Sequence, residues 1–284
     1  MEYNVVYERF DNINQMLTAI NGRPANEVWK GHSLSSETGS EGFTRTKSYK
    51  EAMQFIESGW SEPLEKIKRG VENGFKSNGT RNKAVPRTGV VGYAPCVPNA
   101  ILGLPNSMIM TEKTTSKVKA VTILYGMSVT ANINQEDIYK AGIVLLNIIN
   151  DLELAGYRVK LDVEYFSSRE GNDVYGSCVT VKDWRQPLDL KKLAFPISHP
   201  SMFRRLGFRW LETNPNVKNR SIRSGYGRNV AEGYENMTKF YKDYGLLKQN
   251  EYYIDVYFCR NKKFDKDEIV KACGLIDIKN KGAA

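Results

Sequence analysis

The segment Phe203-Arg-Arg-Leu-Gly-Phe-Arg-Trp-Leu-Glu212 sets Arg204, Arg205 and Arg209 among Phe203, Leu206, Phe208 and Trp210. Guanidinium groups neutralise phosphates and aromatic rings stack on unpaired bases, so this mixture suits a nucleic-acid-binding surface. The stretch that follows, Asn216 to Asn229, reads as a Gly/Ser-rich loop and adds Lys218, Arg220, Arg223 and Arg228. From Lys182 to Arg228, eleven Lys/Arg stand against three acids, which accounts for +8 of the chain's net charge of +9. So localised an excess points to a polyanionic partner. On a helix, Arg205 and Arg209 are four apart and share a face, with Arg204 about 100° away. Phe203, Leu206 and Trp210, at i, i+3 and i+7, face the core, which leaves the arginines on the wet side. The candidate nucleic-acid-binding set is therefore Arg204, Arg205, Arg209, Lys218, Arg220, Arg223 and Arg228.

A second place for chemistry is the loop Gly126-Met-Ser-Val-Thr-Ala-Asn132, which follows an apolar run. Ligands of α/β proteins commonly sit outside the carboxyl ends of strands. A divalent metal there needs hard oxygen ligands, at least one of them anionic, yet no Asp or Glu occurs between Lys113 and Glu136. The G-x-x-x-x-G-K-[ST] phosphate loop is also missing. The loop is read as a structural turn, with Gly126 for backbone freedom and Asn134 as helix cap; no metal and no cofactor is expected. His199 lies near Ser198, Ser201 and Asp183 but reads as a His-Pro turn capping the next helix. Asp162 and Glu164 share one face of a strand, whereas Asp151 and Glu153 do not share a face of their helix. A solvated surface is the expectation for both pairs. With two histidines and no acid-rich or Gly-rich catalytic motif, an enzyme is the minority reading.

The elements that must position these residues are those of an α/β protein. Lys117–Tyr125 is a strand and Gln135–Ala155 a helix, its apolar face at Ile138, Ala141, Leu145, Ile148, Ile149 and Leu152, with Gly156 after it as C′. Tyr157–Tyr165 is a strand with Val159, Leu161 and Val163 alternating, and Asp173–Trp184 pairs antiparallel with it. Asn250–Arg260 reads as a further strand and Asp265–Ile276 as a short helix. Nearer the N-terminus, Asp11 or Asn12 caps a first helix. Ser48 caps the helix bearing Met53, Phe55 and Ile56, with Glu51 completing a capping box. Glu62–Gly74 reads as another helix, and Ser77–Thr88 as a mobile loop or hinge. Val90–Met108 reads as an irregular segment packed on the core with one short helix near Asn99–Leu102. Prolines 196 and 200 break the helical region before Phe203. The fold expected is a mixed sheet with flanking helices, organised as an N-terminal helical, peripheral region at 1–88 and an α/β core at 89–284.

Composition excludes several classes. Apolar content of 41% and charged content of 26% describe a globular chain. The four cysteines form no C-x-x-C pair and are read as reduced, mostly buried thiols. No apolar run spans a bilayer and the N-terminus lacks an export signal, so a cytoplasmic protein without a membrane partner is expected.

The order strand, Ser-containing loop, long helix, strand resembles the von Willebrand factor A-type domain, with Leu124-Tyr-Gly-Met-Ser128 standing where that family carries Asp-x-Ser-x-Ser. Segments 42–60, 96–110, 141–161 and above all 186–212 resemble a family of proteins encoded by tailed bacteriophages and prophages. The resemblance covers roughly residues 43–212. It implies a phage-encoded protein of the host cell cytoplasm with a metal-free, von Willebrand A-like core, and it carries no catalytic residues. The leading expectation is a non-enzymatic protein that binds a polyanion, most plausibly nucleic acid, through the 182–228 surface. The alternatives are a protein-interaction or self-assembling module acting on a host or phage protein, homo-oligomer included, and an enzyme of unknown class.

Overall fold

The computed structural model describes residues 2–61, 65, 86–111, 119–131, 133–168, 172–220, 230 and 234–275. Strand β1 (Asn4–Phe10) leads into α1 (Ile13–Gly22), whose cap is Asn12: its side chain accepts from Gln15 N. Two short helical turns, α2 (Ser35–Thr38) and α3 (Glu41–Thr44), come before α4 (Tyr49–Ser58). Ser48 caps α4 by accepting from Glu51 N, and the Glu51 carboxylate reaches back to Lys47 N at 2.5 Å. Then come β2 (Pro86–Gly89), β3 (Ala94–Pro95), α5 (Val97–Ile101) and β4 (Met108–Thr111).

The central unit is β5 (Lys119–Gly126), α6 (Gln135–Leu154) and β6 (Tyr157–Ser168), followed by β7 (Asp173–Lys182). Helix α7 (Leu190–Ser198) runs on to a π-helical turn (Met202–Gly207) and α8 (Phe208–Thr213). Helix α9 (Tyr234–Asp243), β8 (Glu251–Asp255), α10 (Val256–Asn261) and α11 (Lys266–Ala272) complete the chain.

The main sheet has the order β1-β7-β6-β5-β8. β5 is parallel to β6 and β8, β7 is antiparallel to β6, and β1 is parallel to β7. This is the mixed α/β sheet the alternation predicts. One sheet face buries Val121, Ile123, Val159, Leu161 and Val163 against α6, where Ile138, Leu145 and Ile149 are fully buried. α6 packs closely on α7 because position 142 is glycine: a Cβ there would lie 2.1 Å from Ser198 Oγ. The opposite face buries Leu124, Phe166 and Val174 under α9.

Several expectations change. Residues 2–60 are not peripheral: β1 is an edge strand of the main sheet, and Phe10, Met16, Ile20, Trp29 and Trp60 belong to the same core. The strand expected over 250–260 ends at Asp255, whose side chain accepts from Phe258 N and starts a helix instead. Pro196 lies inside α7, where its missing N–H forgoes one bond to the turn before without ending the helix, and the break falls at His199-Pro200. Residues 86–111 are not packed on the core: β2, β4 and β3 form a separate three-stranded sheet. The helix expected at 62–74 falls, but for Glu65, outside the described residues, as do 77–85 of the expected hinge.

Candidate functional site

In the loop after β5, Ser128 and Thr130 spend their polar atoms on the protein itself. Ser128 Oγ accepts from Phe166 N at 2.6 Å and donates to Phe166 O at 3.0 Å. Thr130 N donates to the Tyr257 hydroxyl at 2.8 Å, and that hydroxyl donates to Thr130 Oγ1 at 3.0 Å. Asn134 caps α6 by accepting from Asp137 N, as its position predicts. Gly126 is required for a different reason from the one expected. A Cβ there would stand 2.5 Å from the Tyr253 hydroxyl, so the position has to be empty rather than flexible.

Beside this loop, one register row crosses all five strands: Arg9, Cys178, Glu164, Gly126 and Asp255. Asp162 lies one step along the same face of β6. Asp162 and Glu164 are therefore not a solvated pair; they are 1% and 0% exposed. Asp162 accepts from Thr180 Oγ1 and Lys160 Nζ. Glu164 accepts from the Tyr7 hydroxyl at 2.6 Å and from the Tyr241 hydroxyl of α9. Burial pushes the Glu164 carboxyl up to about 8, against the pull of those two hydroxyls and Arg9. Burial also raises Asp255, which accepts from the Tyr253 hydroxyl. Perturbed carboxyls at the carboxyl ends of parallel strands are the usual mark of an active site. Here α9 lies over them, and Glu164, Tyr241, Tyr253 and Asp255 are all 2% exposed or less. The buried members of the row fasten α9 to the sheet, and only Arg9, at the β1 edge, reaches solvent.

His199 is 2% exposed among Phe55, Trp60 and Phe195. Its Nδ1 accepts from Ser201 N at 3.0 Å, so the ring caps the next turn as expected. Burial lowers it to about 3, more than a backbone hydrogen bond with Arg45 restores, and the ring stays neutral at physiological pH.

Of the three arginines expected on the wet side, Arg204 and Arg205 point inward and Arg209 is half-buried. Arg205 is fully buried and uses all five of its N–H donors. Nε meets Thr46 Oγ1, Nη1 meets Ser36 O and Glu37 O, and Nη2 meets Gly39 O and Thr46 O, at 2.8–3.1 Å. Arg204, 4% exposed, donates to Phe43 O and Thr130 O and lies 4.3 Å from the Phe43 ring centre. Burial and the neighbouring Arg45 lower it to about 10. Arg209 pairs with Glu37 at 2.7 Å over the Tyr49 ring, and buried Glu212 accepts from Ser36 N and Oγ. The polar stretch 34–49 is thus a second layer over α8 and the π-turn, and it occupies the face assigned to nucleic acid. Phe203, Leu206 and Trp210 do face the core.

The rest of the tract is divided. Lys182 is buried, with Nζ on Glu153 and Val159 O. Arg185, Lys191 and Lys192 are exposed beyond the end of β7, while Lys218 and Arg220 are exposed beside Asn219, which bonds Asp173 at the strand's beginning. Ten residues of strand separate those two groups by roughly 30 Å. Arg223 and Arg228 lie outside the described residues. The described residues of the tract do not form one continuous surface.

What sequence reading missed is at 86–111. No described side chain there is buried. Val90, Val91, Tyr93, Val97, Ile101 and Leu102 are 71, 79, 70, 59, 79 and 72% exposed. The unit is nonetheless built: Tyr93 N donates to Ile109 O, Cys96 N to Ser107 O, and Leu104 N to Asn99 O. The signal available was a 26-residue stretch rich in Val, Ile, Leu and Met in which Arg87 is the lone charge.

Among the described residues no helix is long and apolar enough to cross a membrane, and no group of three or more His, Cys, Asp or Glu is placed to hold a metal. The family model described as a domain of unknown function, DUF7192, matches residues 1–277. None of the curated proteins and none of the solved structures matches the chain.

Proposed function

The chain belongs to the DUF7192 family, and with that as the premise we propose that it is a non-enzymatic interaction module whose docking face is the apolar unit at 86–111. The observation that carries this is the set of six large apolar side chains, each at least 59% exposed, on an ordered scaffold. A soluble chain that keeps such a patch open does so for a partner. The polar network at the carboxyl end of the sheet favours the same reading, because its carboxyls Glu164 and Asp255 are buried beneath α9. If the chain is phage-encoded, as the resemblance of its 43–212 region implies, the partner is a phage or host protein.

A second reading keeps the polyanion. It rests on the net charge of +9 and on the five outward residues Arg185, Lys191, Lys192, Lys218 and Arg220; Arg204, Arg205 and Arg209 are no longer part of it. One pair of titrations separates the two. An apolar-surface dye should bind the wild-type protein and lose most of its signal in Val91→Asp with Ile101→Asp, at unchanged secondary structure. Single-stranded DNA at about 50 mM salt should bind weakly or not at all. Dye binding that survives the double substitution would refute the docking face. Tight DNA binding abolished by Lys218→Glu with Arg220→Glu would establish the polyanion reading in its place.

A further inference from the structure

We propose that the occupant of the 86–111 face is a second copy of this chain. The inference rests on the docking reading above and commits it to one partner. Area is the first argument. The exposed surface of Val90, Val91, Tyr93, Val97, Ile101 and Leu102 totals on the order of 800 Å², about what each partner contributes to a standard interface.

Charge is the second. A chain of net charge +9 meeting a different partner is best recognised through acids set against basic side chains at the rim. Within 86–111 Arg87 is the lone charge and there is no acid. Depletion of charge with enrichment in apolar side chains is the composition of homodimer interfaces. A neutral face also lets two positively charged copies meet while their charges stay apart, where salt screens them beyond roughly 8–10 Å. One patch used twice gives a closed two-fold pair, with no open-ended growth.

The scaffold is the third. Gly92 brings the 90–93 turn hard against β4, where a Cβ would lie 2.1 Å from Ile109 O. Asn99 Nδ2 holds Asn106 O at 2.9 Å, fixing the loop that presents Ile101 and Leu102. A face already ordered before contact loses little entropy on association.

Sedimentation equilibrium across the micromolar range tests this. Wild-type protein should move with concentration from the 32.3 kDa of one chain to twice that mass, and the pair should persist in high salt. Val91→Asp with Ile101→Asp should weaken self-association at least tenfold, with the far-ultraviolet spectrum and melting of the α/β body retained. Tyr93→Ser gives the same reading should the double variant not fold. A pair that forms equally in the variants uses another face and overturns the proposal. Wild-type protein that stays monomeric overturns it too, and the dye then distinguishes the cases. A monomer that binds dye through Val91 and Ile101 keeps the docking face for a different partner. A monomer that does not bind it loses the docking reading as well.

Discussion

Arg205→Ala should cost about 3–5 kcal/mol of folding stability, among the largest losses a single substitution produces. The side chain supplies five hydrogen bonds, four of them to the backbone carbonyls of Ser36, Glu37, Gly39 and Thr46. Each buried acceptor left without a donor costs about 1–3 kcal/mol, less where water enters. None of the five acceptors is a carboxylate, so the loss is one of geometry more than of ion pairing. Arg205→Lys should therefore restore less than half, because an ammonium has three donors and no planar fork. Lys218→Ala, on an exposed side chain, should stay within about 0.5 kcal/mol of wild type. Urea unfolding measures all three. A cost below about 1 kcal/mol for Arg205→Ala would mean that the 34–49 layer does not depend on it. In a DNA-binding assay, charge reversal at Arg205 should unfold the protein instead of removing binding from a folded one.

The second large effect is on pH dependence. In the folded chain Glu164 titrates near 8, against an ordinary 4.5, because burial disfavours its charge. Between those values the unfolded chain has released this proton while the folded chain still holds it. Stability therefore falls as pH rises through the window, and the contribution is complete below about 4.5 and lost above about 8. At about 1.4 kcal/mol per unit, the window is worth several kcal/mol. Glu164→Gln keeps the shape and hydrogen-bonding capacity toward Tyr7 and Tyr241 without a charge. Melting temperatures taken from about pH 5 to about pH 9 should decline in wild type and decline much less in the variant, which becomes the more stable of the two at the alkaline end. Parallel profiles would show that Glu164 is ionised throughout.

The strand–helix–strand unit was legible because its residues answer to one neighbour each. Val159, Leu161 and Val163 alternate, Ile138, Leu145 and Ile149 repeat with helical spacing, and both patterns state which side the core is on. The caps Ser48 and Asn134 were legible because capping is local, and the first helix's cap was narrowed to Asp11 or Asn12, of which Asn12 is the one used. Asp255 was as local a signal, yet it was passed over in favour of the apolar run around it. Arg205 was not legible in the same way. Periodicity places Phe203, Leu206 and Trp210 against the core but is silent on whether a second layer covers the opposite face. The clue was near at hand: the helical neighbours of Arg205 at i−3 and i+3 are Met202 and Phe208, both buried. Glu164 failed for the converse reason, since a carboxylate alternating on a strand looks solvated until a helix from seventy residues later is laid over it. At 86–111 the apolar composition was read as core, and composition cannot say which way a side chain faces.

The fold amounts to an inversion: Arg204 and Arg205 of the basic tract are internal, and an apolar unit is outside. Residue-resolved hydroxyl-radical labelling of a dilute sample tests it most directly. Val91, Tyr93, Ile101 and Leu102 should be modified heavily, while Phe203, Phe208 and Trp210 stay protected and Arg204 and Arg205 resist dicarbonyl reagents. Protection of the 90–102 side chains in the monomer, with free reaction at Arg204, Arg205 and Trp210, would contradict it.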